Sequence, residues 1–185
     1  MIAVLDACVL YPAVLRDLWM HLTLEQVFAA RWTKEIHLEW TRNALKNYPA
    51  STQAQWHRVS NLMDVYAKDA IVTGYEPLIE TLILPDAEDR HVLAAAIQCQ
   101  AVYIVTFNLK DFPVATLKTY GIQAIAPDQF LSGLMNDQLE AVLTAIRFQR
   151  SQLKKPVLEA QELLNKLAVH TPKSAVLLSE FVSKL

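Results

Sequence analysis

The stretch MIAVLDACVLYP, residues 1–12, governs how the rest of the chain is read. Ile2–Leu5 is an apolar run of strand length, and it stops at a single carboxylate, Asp6, before a second apolar run begins. A charge removed from water is costly unless it is paired or coordinates a cation. Either a strand ends at Asp6 and faces a cleft, or the strand reading is wrong.

Working outward, residues 12–30 read as one helix, with Leu15, Leu18, Trp19, Leu22 and Val27 near helical spacing. Thr33 is a helix N-cap, and that helix closes before Pro49. Residues 51–67 carry another helical pattern. Ala70–Val72 reads as a second strand closed by Gly74, and residues 75–85 as a short helix or loop. DAEDRHVLAAAIQCQ, residues 86–100, reads as a strong helix whose acidic first turn suits the helix dipole. Val102–Phe107 is a third strand, and residues 108–121 a turn and short helix. Residues 122–126 form a fourth strand, and Pro127 opens a further helix. Strands alternating with helices predict an α/β fold, a mostly parallel sheet with helices on both faces. Ligand sites in such sheets lie beyond the carboxyl ends of the strands. Asp6 and residues 106–111 both follow strands there.

From Asn136 onward no strand pattern remains. Leu139, Val142, Leu143, Ile146 and Leu153 stripe one helix; Pro156 opens a second and Thr171–Pro172 a third. Residues 1–135 therefore read as the core domain and 136–185 as a helical extension that packs on the core or on a partner, or mediates homodimerisation. Lys154 and Lys155 read as a solvated helix end.

The formal charge of -2 gives no sign of a strongly basic nucleic-acid binder, though a local basic surface or a metal-bridged contact remains open. Cys8 and Cys99 have no C-x-x-C spacing and read as reduced, buried thiols. No signal peptide is visible, and no stretch approaches the roughly 20 apolar residues of a membrane span; the expectation is a soluble, cytoplasmic protein without membrane contact. The three glycines, Gly74, Gly121 and Gly133, are too few and too scattered for a dinucleotide loop or a P-loop. There is also no G-x-S-x-G elbow.

What remains is a set of acids: Asp6, Glu39, the pair Asp86 and Asp89 on one face of a helix start, and Asp111 after the third strand. Converging carboxylates repel and raise one another's pKa, and a divalent cation removes that conflict. Mg2+ and Mn2+ prefer oxygen ligands. Each acid also has a plainer reading. Asp86 and Glu88 could serve the helix N-terminus, Glu39 a solvated face, and Asp111 a turn. Asp6 resists that treatment because apolar residues flank it. Glu88 and His91 have the spacing of a di-iron motif, but only one such motif is present, so His91 reads as a packing or surface residue. Arg16, Arg42, Lys46 and Arg90 could reach a phosphate backbone, with solvated surface charge as the default.

The stretches VLDACVLYP, RWTKEIHLEWTRN, LPDAEDRHVLAAAI, VTFNLKDFP and GIQAIAPDQFL, in that order, resemble the PIN-domain nuclease family, in particular its VapC-type toxins. The resemblance covers residues 1 to about 135. It implies a three-layer α/β/α fold and a Mg2+- or Mn2+-dependent endonuclease of single-stranded RNA, paired with an antitoxin protein. On that basis Asp6, Glu39, Asp89 and Asp111 match the catalytic acids, with Asp6, Asp86, Asp89 and Asp111 as metal ligands. Asn108 stands where some relatives place an aspartate, so that position is shared between Asn108 and Asp111. Thr106, Asn108, Arg90 and Arg42 are the accessory or substrate contacts.

Two other readings compete. A phosphatase of the haloacid-dehalogenase type also places an aspartate after its first strand, but needs a second aspartate where Cys8 stands. A non-catalytic protein keeping its acids for RNA or antitoxin binding is the other.

Overall fold

The structure, a computed structural model, describes residues 1–154 and 156–185. Lys155 lies outside the described residues. Four described strands form one sheet: β1 (Ile2–Leu5), β2 (Ala29–Arg31), β3 (Tyr103–Val105) and β4 (Gln123–Ile125). Their order is β2-β1-β3-β4 and every pairing is parallel. Helices cover both faces, giving the three-layer α/β/α architecture. Chain order reverses between β1 and β3, which makes the gap beyond their carboxyl ends the switch point where α/β sheets bind ligands. Asp6 leaves one side of that gap and Thr106 the other.

Between the strands lie α1 (Ala7–Leu10), α2 (Ala13–Leu24), α3 (Lys34–Asn47), α4 (Gln53–Tyr66), α5 (Glu76–Ile79), α6 (Arg90–Gln98) and α7 (Val114–Lys118). Thr33 caps α3 as expected, its hydroxyl accepting from Ile36 N–H at 3.0 Å. Trp19 of α2 packs against Phe28 and Phe130, while Ile36 and Trp40 of α3 are fully buried.

Several boundaries differ from the sequence reading. The single helix expected over 12–30 is one shorter helix, α2, followed by a strand, β2. α2 ends in a Schellman motif: Val27 N–H donates to Leu22 O and Gln26 N–H to Thr23 O, with Gln26 at φ 58°. A glutamine in this left-handed position hides the stop that a glycine would have announced. The chain then turns into β2. The strand expected at Ala70–Val72 is only an isolated parallel bridge between Trp32 and Ile71. The helix expected from residue 86 begins at Arg90. Asp86 Oδ1 instead accepts from Glu88 N–H at 2.9 Å, and Arg90 Nε donates to Ala87 O at 3.0 Å. These local bonds after Pro85 compete with the helix ladder. Asp86 and Asp89 therefore do not share a helix face.

The C-terminal third is helical: α8 (Pro127–Gln152), α9 (Ala160–Ala168) and α10 (Pro172–Ser179). α8 runs through residue 135 and leaves helical geometry at Gln138 (φ -144°, ψ 50°). α9 starts after Glu159, in a capping box with Glu162, rather than at Pro156. Asp128, in the first turn of α8, accepts from Ser174 N–H at 2.8 Å and Lys173 N–H at 3.0 Å and so caps α10. The apolar stripes of this region (Val142, Leu143, Ile146, Leu163, Leu164, Leu167, Leu178) are buried within the chain itself. They need no second copy to explain them. Among the described residues, no helix is long and apolar enough to cross a membrane.

Candidate active site

The site is built at the carboxyl ends of β1 and β3. Asp6 stands at the N-cap of α1, yet its carboxylate makes no cap hydrogen bond. It turns toward β3 instead, where Thr106 Oγ1 donates to Asp6 Oδ2 at 2.6 Å. Cys8 Sγ donates to the same oxygen at 3.1 Å. Asp6 is 3 % exposed and Thr106 fully buried, so this polar cluster is satisfied inside the fold. Burial, and after it the neighbouring Asp6 charge, pushes the Cys8 thiol far above its ordinary range, so Cys8 is a neutral donor.

Around Asp6 the other acids arrive from separate elements. Glu39 comes from the middle of α3, half-buried. Asp89 sits at the start of α6. Asp111 ends the 3-10 turn Leu109–Asp111 that follows β3. Burial, then the charges of Asp6 and Asp89, raises Glu39 to about 7. Burial, then Asp6, Asp86 and Asp111, raises Asp89 to about 7. Glu39 thus feels Asp6 and Asp89, Asp89 feels Asp6, Asp86 and Asp111, and Arg42 opposes the effect at Glu39.

The candidate residues divide clearly. Asp6, Glu39, Asp89 and Asp111 interact at the strand ends. Asp86 is exposed and occupied in its own turn, though its charge still reaches Asp89. Thr106 holds Asp6, and Asn108 N–H holds Thr106 Oγ1 at 2.9 Å. Arg90 Nε donates to Ala87 O, in the turn before α6. Arg42 is exposed on the wall of an open cleft of about 730 Å³, which also includes Glu39, Asp89, Asn108, Gln53 and Trp56. Arg16 is withdrawn from any such role: it donates to Leu10 O at 2.8 Å and Tyr11 O at 3.1 Å and lies 4.6 Å over the Trp40 ring.

Sequence reasoning missed two groups. Cys8, read as a reduced, buried thiol and used as an argument against a phosphatase, bonds directly to Asp6. His91, read as packing, is buried at the cleft floor between Glu35 and Glu39, its two ring nitrogens each 3.8 Å from a carboxylate oxygen. Its Nδ1 has no hydrogen-bond partner among the described residues. Burial lowers its pKa, opposed by Glu35 and Asp6. The i,i+4 spacing of Glu35 and Glu39 was the available signal that two acids share one face of α3.

The donor set fits a hard divalent cation. It is all carboxylate, its members destabilise one another when ionised, and Asp6 Oδ1 has no partner among the described residues. Among those residues no three His, Cys, Asp or Glu side chains approach closely enough to form a complete cage. Mg2+ typically takes one or two carboxylates and keeps its waters, so it does not require one.

Comparison with known proteins agrees with this geometry. Residues 3–110 match the family model described as PIN domain, and residues 127–180 match the VapC50 C-terminal domain. Over 106 residues the chain is 38% identical to the curated protein named "Putative ribonuclease VapC50" of Mycobacterium tuberculosis. That alignment covers 57% of this chain and 62% of the relative, so the chain spans less than two thirds of the length of the relative it matches. No solved structure matches the chain.

Proposed function

The chain belongs to the PIN-domain family, and from that premise we propose that it is a metal-dependent endoribonuclease of single-stranded RNA, the toxin of a toxin–antitoxin pair acting in the cytoplasm. Residues 1–135 form the nuclease unit in this reading and 136–185 the helical extension. The observation that carries it is the convergence of acids from separate elements on the strand ends: after burial, the Asp6 charge raises both Glu39 and Asp89, each to about 7, and Asp111 adds to the effect at Asp89. Such crowding is a cost to the free protein and an asset once a cation shares the site.

Asp6, Asp89 and Asp111 would hold Mg2+ or Mn2+, with Asp86 at the edge. Such an ion supplies charge neutralisation at the scissile phosphate and a water of lowered pKa. Glu39 has its own proton-transfer role. Its half-buried carboxylate, on the cleft wall beside the other acids, would position the attacking water and accept its proton. His91 Nε2 lies 3.8 Å from Glu39 Oε2, near that carboxylate but beyond hydrogen-bond distance. Arg42, one turn beyond Glu39, is placed for a phosphate of the flanking strand, and the exposed Leu38 on the same cleft wall offers apolar contact to a base. Asn108, exposed in the same cleft, would be a further contact to the phosphate.

The test is cleavage of a pool of cellular single-stranded RNAs with Mn2+ and with EDTA. Cleavage is expected with the metal alone, and Asp6→Asn is expected to abolish it while the far-ultraviolet circular dichroism stays unchanged. Cleavage that survives in EDTA, or in Asp6→Asn, would refute the reading. The antitoxin part is tested separately, by whether a co-expressed neighbouring protein suppresses that cleavage.

A further inference from the structure

We propose that Cys8 is a positioning residue for Asp6: its thiol, together with the Thr106 hydroxyl, occupies one carboxylate oxygen so that the other is presented to the cation. The inference rests on the metal-dependent reading above and assigns a role to a side chain which that reading does not use.

Hydrogen-bond counting at the strand ends leads to it. Thr106 Oγ1 accepts from Asn108 N–H at 2.9 Å and directs its only proton to Asp6 Oδ2 at 2.6 Å. Cys8 Sγ accepts from Phe107 N–H at 3.3 Å. Its single proton has two oxygens within reach, Asp6 Oδ2 at 3.1 Å and Thr106 Oγ1 at 3.4 Å. The carboxylate is both the nearer and the stronger acceptor, and Thr106 Oγ1 already accepts a bond. Both donors therefore converge on Oδ2.

Oδ1 has no hydrogen-bond partner among the described residues and is not one of the sealed, unpartnered buried atoms, so it reaches solvent. An aspartate at an N-cap normally folds its carboxylate back onto the free N–H groups of its own helix. Asp6 does not. Cys8, two residues into that turn, and Thr106, from the neighbouring strand, hold the carboxylate across the gap between β1 and β3. The result is a ligand of fixed rotamer with one oxygen available, the arrangement in which outer hydrogen bonds set metal affinity.

The experiment is calorimetric titration of Mn2+ into the folded full-length protein at pH 7.5, with thermal unfolding in EDTA as a check on the fold. Wild type, Cys8→Ser and Cys8→Ala are compared. Cys8→Ala, which loses the donor, is expected to bind Mn2+ about tenfold more weakly. Cys8→Ser, which keeps a donor at that place, is expected to stay close to wild type, although all three unfold at similar temperatures in EDTA. Equal affinity in Cys8→Ala and wild type would overturn the assignment, and so would equal weakening in Cys8→Ser and Cys8→Ala, since side-chain volume rather than hydrogen bonding would then be responsible. No Mn2+ binding by wild type would instead refute the metal reading itself, and this assignment with it.

Discussion

Replacing Asp89 by asparagine isolates the cost of crowding carboxylates at the strand ends. Burial, followed by the charges of Asp6, Asp86, Asp111 and Glu88, raises Asp89 from 3.8 to about 7. At about 1.4 kcal/mol per tenfold change in proton affinity, that difference corresponds to about 4 kcal/mol. Asp89 is only partly buried, and solvent screening reduces the effect to about 1–2 kcal/mol. The folded protein keeps this proton up to about pH 7, whereas the unfolded chain releases it near pH 4. Stability therefore falls as the pH rises between those two values, and the whole deficit is present at pH 8. Asp89 makes no cap hydrogen bond, so asparagine, which carries no charge, loses only about 0.5 kcal/mol of attraction to the α6 dipole. In EDTA at pH 8, Asp89→Asn is expected to be about 1 kcal/mol more stable than wild type, or about 2–4 °C in Tm for a chain of this size. At pH 5 the advantage should shrink to less than half. Millimolar Mn2+ should reverse the order, since ligand at a hundredfold excess over Kd contributes about 2.7 kcal/mol to a protein that binds it. The assay is thermal unfolding followed by circular dichroism in the four combinations of pH and metal. A variant no more stable than wild type at pH 8 in EDTA would refute the crowding argument. An equal gain from Mn2+ in both proteins would refute Asp89 as a ligand.

Two further predictions concern the scaffold. His37 is buried and held as the neutral tautomer: Trp40 Nε1–H donates to its Nδ1 at 2.9 Å, and its Nε2–H donates to Asp64 Oδ1 at 3.0 Å. Burial lowers its pKa against the opposing pull of Asp64. The unfolded chain therefore takes up a proton near pH 6.5 before the folded one does, and stability is lost as pH falls below that value. His37→Gln should flatten this part of the Tm profile between pH 7 and 5.5; an unchanged slope would count against the assignment. Gln100, exposed at φ 55°, ends α6 with the same Schellman bonds that close α2. Gln100→Gly should stabilise the protein by about 0.5–1 kcal/mol by removing left-handed strain, as measured by urea unfolding, and a loss of stability would show that the glutamine side chain matters more than its backbone.

The legible parts of the sequence were those written in local patterns. The apolar run before Asp6, the Thr33 cap, the Pro127 helix start and the four acids could all be read because each rests on neighbours within a few residues. Asp6 and Asp111 were legible together for a different reason: carboxylates that follow parallel strands share the carboxyl edge of the sheet, whereas Glu39 on α3 and Asp89 at the start of α6 joined the set through the family resemblance. Other features were not legible. The stops after Leu24 and Gln98 carry glutamine where glycine would have signalled them. The late start of α6 depends on Asp86 and Arg90 bonding to nearby backbone, which competes with a helix that composition alone favours. These are near-balanced local choices, and tertiary packing decided them.

The amino-acid sequence by itself determined that this is a parallel α/β protein with a carboxylate at the end of its first strand and an acidic site beyond the sheet. Periodicity and the cost of burying charge are properties of single segments. Only the tertiary structure decided that β1 and β3 are neighbours. That one adjacency puts Thr106 against Asp6 and lets Cys8 join them, while the packing of α3 and α6 brings Glu39 and Asp89 within reach of the Asp6 charge. Hydrogen bonds and Coulomb repulsion act through distances of a few ångströms, and for residues separated by a hundred positions those distances exist only once the chain has folded.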